Sequence, residues 1–285
     1  MSYHLNWKKL APFGVEVHDI DLSQRLPEDT AYALRRLYEE NHLLVFRNQN
    51  MSLAEQREAA GMFGHVFPME EGVHYISNVR KDGYLGGLEI KFHSDLAYCE
   101  FPIDGIMLHA IEVDSGKTST QFVDIMDAWR TLPGDLKDRA QDMRAVQMFV
   151  HGPQDNRYGV DTTLPHWSHR VARPHPRMGE LCLYVMEEST RMIGDLAEQE
   201  GRALIRALCD HITRPETVYE HIWHMGDVVL WDNLACQHAR GALNSNVPRT
   251  LQRQTLGSLT FKQQYAHLGP DGLAAVISRL GSEPG

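Results

Sequence analysis

Residues 223–240 read WHMGDVVLWDNLACQHAR. Gly226-Asp227 is a turn signal, and residues 228–231 (VVLW) form a continuous apolar run of strand length. Asp232-Asn233 closes the run, and His238 follows five residues after the asparagine. Outward from this stretch, the region 218–260 alternates strands and turns, with strands expected at 219–224, 228–231 and 249–256. The same habit recurs earlier. Short strands are predicted at 15–17, 20–22, 43–46, 75–79, 105–111, 119–123, 145–150 and 181–185. Helices are fewer. Pro27-Glu28-Asp29 opens one that carries Ala33, Leu34, Leu37 and Tyr38. Ser52 with Glu55 reads as the capping box of a second. Further helices are expected at 124–132 and 196–212.

Many short strands with a few attached helices predict a mostly β protein with flanking helices, built on an antiparallel jelly-roll core. Regular strand–helix alternation and a Gly-rich phosphate loop are both missing, which disfavours a doubly wound α/β sheet. No repeat and no shift in composition marks a boundary, so residues 1–285 are expected to form a single domain. Irregular insertions are expected near 65–92 and 151–180, where Pro, Gly, His and Arg accumulate.

The chain is 42% hydrophobic and 23% charged, as globular proteins are. Its formal net charge of −10 argues against a nucleic-acid or anionic-membrane binder, either of which needs a basic face. A small anionic substrate needs only a local arginine pocket and stays open. Cys99, Cys182, Cys209 and Cys236 lack the spacing of a zinc site, and a disulfide framework is not expected. The amino terminus lacks the apolar core of a signal peptide, and no apolar run approaches the ~20 residues of a membrane span. A cytoplasmic, reducing location is the default expectation.

Residues 91–95 read KFHSD. Residues two apart in a strand share a face, so His93 and Asp95 can aim at one point. A histidine from elsewhere would complete the two-His, one-carboxylate set that suits non-haem Fe(II) and leaves coordination positions open. Alone the motif says little: with 16 His and 38 acidic residues, about two His-x-acid matches arise by chance.

The context supplies what the motif lacks. The stretch 223–240 resembles the part of the taurine and phenoxyacetate dioxygenase family of Fe(II)/2-oxoglutarate enzymes that carries the distal iron-binding histidine, with its Gly-Asp turn, Trp-Asp-Asn strand end and later His. Residues 43–49 (LLVFRNQ) resemble that family's early strand, and 52–64 its next helix. Residues 169–176 (HRVARPHP), followed by Leu183-Tyr184-Val185, resemble the run before its late strand. The likeness keeps the same order over roughly residues 10–260. The sequence departs from the family at Phe92, where Trp is frequent, and at Met186, where Asn is frequent.

The resemblance implies the double-stranded β-helix form of the jelly roll, with Fe(II) held by His93, Asp95 and His238 and with 2-oxoglutarate and O₂ as co-substrates. It assigns the far carboxylate of 2-oxoglutarate to an arginine eleven residues after the distal histidine, which is Arg249, and to a threonine hydroxyl, which is Thr120 or, in another register, Thr118. Lys117 and Thr118 then stand where the family has two glycines. Arg253, four residues on, lies toward the metal end, as a candidate contact there for 2-oxoglutarate and for the substrate. In an extended strand the two arginines sit ~13 Å apart, too far to grip one carboxylate. His74, Leu96 and Tyr98 are candidate substrate contacts, and Arg253 hints at an anionic one.

The implied reaction is oxidative decarboxylation of 2-oxoglutarate to succinate and CO₂, coupled to attack on a substrate C–H bond. Asp95 favours hydroxylation, desaturation or cleavage over halogenation. A zinc hydrolase on the same ligands and a non-catalytic binding module are the alternatives, and the first leaves Arg249 without a role. The expected partner is a small molecule, with neither nucleic acid nor membrane, and homo-oligomer formation is compatible with the sequence.

Overall fold

The computed structural model describes residues 5–69, 73–85, 87, 89–149, 157–242 and 246–266. The first part of the chain runs β1 (Asn6–Lys9), β2 (Val15–His18), α1 (Glu28–Asn41), β3 (Leu43–Phe46), α2 (Leu53–Gly61), β4 (Tyr75–Ser77), β5 (Tyr84–Leu85) and β6 (Ile90–His93). Next come β7 (Gly105–Val113), β8 (Ser119–Asp124), α3 (Ile125–Thr131), α4 (Gly134–Ala140), β9 (Arg144–Met148), β10 (His166–Arg170), β11 (Ala172–Pro174), β12 (Leu181–Leu183) and β13 (Thr190–Ile193). The last part holds α5 (Glu198–Ile212), a 3₁₀ turn at Pro215–Thr217, β14 (Val218–Ile222), β15 (Val228–Asp232), β16 (Cys236–Arg240), β17 (Arg249–Leu256) and α6 (Phe261–Gln264). The protein is mostly β with few helices.

Two sheets position the site. One has the order β1-β2-β3-β15-β7-β17-β4-β5, and the other β14-β8-β16-β6. Their facing sides share a core: Leu43, Val45, Ile106, Leu108, Val229, Trp231 and Leu251 from the first meet Phe122, Tyr219 and Cys236 from the second. The outer face of the eight-stranded sheet is covered by α1 and α2, where Leu34, Leu37, Ala59 and Ala60 pack on Leu44, Phe46, Met107, Val228 and Leu230. This explains the unbroken apolar runs. Successive residues of β3 and β15 alternate between two buried faces, so neither face can be polar. A third core packs α3 and α5 (Ile125, Trp129, Leu204, Leu208) with Leu183, Tyr184, Val185 and Ile193.

Most predicted elements occur, including α1, α2 with its Ser52–Glu55 capping box, and α5. The differences have local causes. Residues 20–22 are not a strand, because the Asp21 carboxylate accepts from the Ser23 amide (2.9 Å) and hydroxyl (2.7 Å) and turns the chain. The segment 151–180 is only partly irregular. Residues 166–170 pair antiparallel with β9, and 172–174 with β12; of the rest, 151–156 lie outside the described residues. Only His169 of β10 is buried, so the strand carries no alternating apolar signature. The segment 65–92 holds three short strands where one was expected, and 70–72, 86 and 88 lie outside the described residues. All four cysteines are buried and unpaired. Among the described residues, no helix is long and apolar enough to cross a membrane.

Candidate metal centre and anion pocket

Strands β6 and β16 lie side by side, antiparallel, with His93 directly opposite His238. Their imidazole centroids are 4.2 Å apart. His93 ends β6, and Asp95 lies just beyond it in a turn, so the strand periodicity that first paired them is not what aims the carboxylate. Asn233 does that. Its Oδ1 accepts from the Asp95 amide (2.8 Å), and its Nδ2 donates to the Asp95 and Ile103 carbonyls (3.0 Å each). Asn233 is fully buried and therefore acts as a short strand bonded to the turn. Leu96 then takes φ 53°, a left-handed backbone that costs a leucine about 1 kcal/mol or more, and this reverses the chain after Asp95.

The result is convergence. His93 Nε2 lies 3.0 Å, and His238 Nε2 3.8 Å, from Asp95 Oδ1. Among the described residues, His93, Asp95 and His238 form the one group of three or more such side chains whose ligand atoms all lie within 4.8 Å of each other. His93 Nδ1 lies 2.8 Å from the Lys91 carbonyl and Nε2 3.0 Å from Asp95 Oδ1, so both ring nitrogens face oxygen acceptors, and a metal taking Nε2 would displace the proton it shares with Asp95. His238 is wedged between Trp231 and Phe122, with centroids at 4.8 and 6.4 Å.

Burial would push the Asp95 carboxyl up. The Arg253 guanidinium, donating to Oδ2 at 2.7 Å, and the two histidines override it and hold the carboxyl well below its usual range. Burial, reinforced by His93, depresses His238 to about 3, so its imidazole is neutral. His93 moves the other way: burial lowers it, but the hydrogen bond to Asp95 wins and raises it. A carboxylate and a neutral imidazole are the protonation states a metal needs.

On the other side of the same inter-sheet space, Arg249 enters from the start of β17. It is 2% exposed, and its Nη2 donates to Thr120 Oγ1 at 3.1 Å. Its Nε and Nη1 are buried and meet no acceptor among the described residues. Burial, with Arg240 adding, pushes its pKa down to about 9. Two guanidinium nitrogens buried without acceptors make a cradle suited to an anion. Of the two candidate threonines, Thr120 faces Arg249, whereas Thr118 Oγ1 has no hydrogen bond. Arg253 contacts Asp95 instead, so the two guanidiniums meet different partners.

The candidate substrate residues are less uniform. The His74 imidazole is tied to the Met69 carbonyl (2.5 Å), and the His74 carbonyl accepts from the Arg253 amide (2.7 Å), so His74 borders the cleft through its backbone. Leu96 packs against the inter-sheet core. Tyr98 meets Phe149 and Phe261 edge-on, and its loop is pinned by His169 Nε2, which donates to the Ala97 and Cys99 carbonyls. Sequence reading missed the Asn233 clamp. A cavity of about 810 Å³ lined by Phe101, Trp167, Leu259 and Tyr265 lies beyond Tyr98 and contains no residue of the triad.

The sequence model described as "Taurine catabolism dioxygenase TauD, TfdA family" matches residues 6–255. The chain is 29% identical to an alpha-ketoglutarate-dependent 2,4-dichlorophenoxyacetate dioxygenase of Cupriavidus pinatubonensis, over 85% of this chain and 94% of the relative. It is 25% identical to an alpha-ketoglutarate-dependent sulfate ester dioxygenase of Pseudomonas putida, over 94% and 92%. Among solved structures it is similar to a taurine dioxygenase from Burkholderia xenovorans (TM-score 0.76, 25% identity, 94% of each chain). It is also similar to the enzyme AAD-2 in complex with Mn(II) and N-oxalylglycine (TM-score 0.78, 25% identity, 90% and 98%).

Proposed function

Because the chain belongs to the taurine catabolism dioxygenase TauD, TfdA family, we propose that it is a 2-oxoglutarate-dependent dioxygenase in which His93, Asp95 and His238 hold Fe(II) and Arg249 with Thr120 holds the far carboxylate of 2-oxoglutarate. The donor set fits that ion, with two imidazole nitrogens and one carboxylate oxygen converging on one site. Bound there, iron and 2-oxoglutarate would supply the O₂-dependent oxidation of an unactivated C–H bond, with release of succinate and CO₂. The observation that carries the reading is the buried Arg249 guanidinium, whose Nε and Nη1 meet no acceptor among the described residues. A zinc hydrolase would leave that buried charge without a purpose, and a simple anion-binding module would leave the clustered His93, Asp95 and His238 without one.

The chain's own side chains do the rest. Arg253 orients Asp95 so that one oxygen serves the metal, and Asn233 fixes the turn that carries it. Trp231, Phe122 and Leu96 line the inter-sheet space and exclude water. In Arg253, Nε is engaged by Thr255 and Nη2 by Asp95, which leaves Nη1 for a substrate anion. A small organic carboxylate, sulfonate or sulfate ester fits this, and relatives named for dichlorophenoxyacetate and sulfate esters support it. The two facing sheets are read as the double-stranded β-helix, within one domain spanning 1–285, in a protein that works in the cytoplasm. The test is a screen of small organic acids and sulfonates for stimulated succinate release. The reading predicts release that requires both Fe(II) and 2-oxoglutarate, and release independent of either would contradict it.

A further inference from the structure

We propose that Trp223 is a positioning residue for the oxo-acid co-substrate: its indole N–H sets the direction in which the Thr120 hydroxyl donates. The inference rests on the assignment of Arg249 and Thr120 to the far carboxylate. Thr120 Oγ1 accepts two hydrogen bonds, from Trp223 Nε1 at 2.9 Å and from Arg249 Nη2 at 3.1 Å. Both partners are donors only, since neither an indole N–H nor a guanidinium can accept. The two lone pairs of the hydroxyl are thereby filled. Its proton is left to donate, and no acceptor for it is found among the described residues. Thr120 is 3% exposed, so that proton sits in a dry site where an unmet donor is costly.

A hydroxyl held this way cannot turn its oxygen toward an arriving carboxylate. It can only present its proton, beside two guanidinium nitrogens in the same need. Without the indole N–H, one lone pair of Thr120 would be unoccupied and the hydroxyl free to rotate. Trp223 is placed to hold the geometry. Its amide donates to the Thr118 carbonyl (3.0 Å) and its carbonyl accepts from the Gly116 amide (2.9 Å). Its ring meets His221 edge-on at 4.5 Å, and His221 is in turn bonded to Asp227 (3.1 Å). The Arg249 guanidinium carbon lies 5.9 Å from the Trp223 ring centre, so one indole touches both members of the anion pocket.

The test is a double-mutant cycle on 2-oxoglutarate affinity, measured by calorimetry on the full chain loaded with Co(II). Trp223→Phe is expected to weaken 2-oxoglutarate binding about 3- to 10-fold, the worth of one oriented hydrogen bond, while leaving Co(II) affinity unchanged. In a Thr120→Val background the same change is expected to have no further effect, because the hydroxyl it acts through is gone. A merely structural tryptophan would weaken binding by the same factor in both backgrounds, and that result would overturn the proposal. If Trp223→Phe does not fold, 3-benzothienylalanine at position 223 keeps the ring volume, removes only the N–H, and is read in the same way. Arg249→Ala separates the two levels. Unchanged 2-oxoglutarate affinity in that variant refutes the anion pocket itself, whereas a large loss there with wild-type affinity in Trp223→Phe refutes only the role of Trp223.

Discussion

Arg253 Nη2 donates to Asp95 Oδ2 at 2.7 Å, which turns Oδ1 of the same carboxylate toward His93 and His238. On the proposed assignment, one guanidinium would serve the metal ligand and border the substrate. Arg253→Ala is expected to weaken metal binding about 10-fold or more, as loss of a ligand's hydrogen-bond partner commonly does. It is also expected to raise substrate KM. Metal titration and steady-state kinetics read the two effects, and a variant that kept substrate KM and lost only 2-oxoglutarate affinity would remove Arg253 from the substrate site.

Arg249 should behave differently. Arg249→Ala removes a charged, doubly hydrogen-bonding partner, so 2-oxoglutarate affinity should fall about 10- to 100-fold with the metal site intact. Arg249→Lys keeps the charge but not the planar fork, and it should recover only part of the loss. Full recovery by lysine would mean that the pocket senses charge alone.

How far these roles could be read from sequence depends on the range of the contact. The strands β3 and β15 announce themselves because both faces are buried, and α2 because its capping box is local. Strand β16 does not, since CQHAR has no alternating apolar pattern, and His238 stands out only through the resemblance of residues 223–240 to the family's stretch around its distal histidine. Expecting Asp95 to share a strand face with His93 reached the right pair by an incomplete route. The turn is aimed by Asn233, which lies far away in sequence and leaves no periodic trace. The candidate substrate residues lie in loops and short strands around 74 and 96–98, where no hydrophobic period exists to reveal which way a side chain faces.

Asn233→Ala would leave the Asp95 amide and two carbonyls without their buried partner. A stability loss of about 2–3 kcal/mol is expected, with metal affinity falling about 10- to 100-fold. Asp232→Asn disturbs the same end of β15 through His175 and Arg177, yet touches none of the ligands, and should cost stability with much less loss of metal affinity. Equal loss of metal affinity in both variants would show that Asn233 acts on the fold alone.

His169 supplies the acid side of the stability profile. Burial, reinforced by Arg173, lowers its pKa from 6.5 to about 4 in the folded protein. Above pH 6.5 the imidazole is neutral in both states and contributes nothing. Between 6.5 and 4 the unfolded chain binds the proton and the native one does not, so native stability falls as pH falls, by up to about 3 kcal/mol. Urea denaturation across that window should show the loss in the wild-type protein and a shallower one in His169→Asn, whose amide can still donate to the Ala97 and Cys99 carbonyls. Parallel profiles would assign the acid sensitivity elsewhere.

The most direct test of the central claim is anaerobic titration of the protein with Fe(II) and 2-oxoglutarate, followed by visible absorption. A weak metal-to-ligand charge-transfer band is predicted only when both are present, abolished by His238→Ala and shifted to higher 2-oxoglutarate concentration by Arg249→Ala. No band at saturating Fe(II) and 2-oxoglutarate, or a band unchanged in His238→Ala, would contradict the assignment of His93, Asp95 and His238 as the iron ligands of a 2-oxoglutarate-dependent dioxygenase.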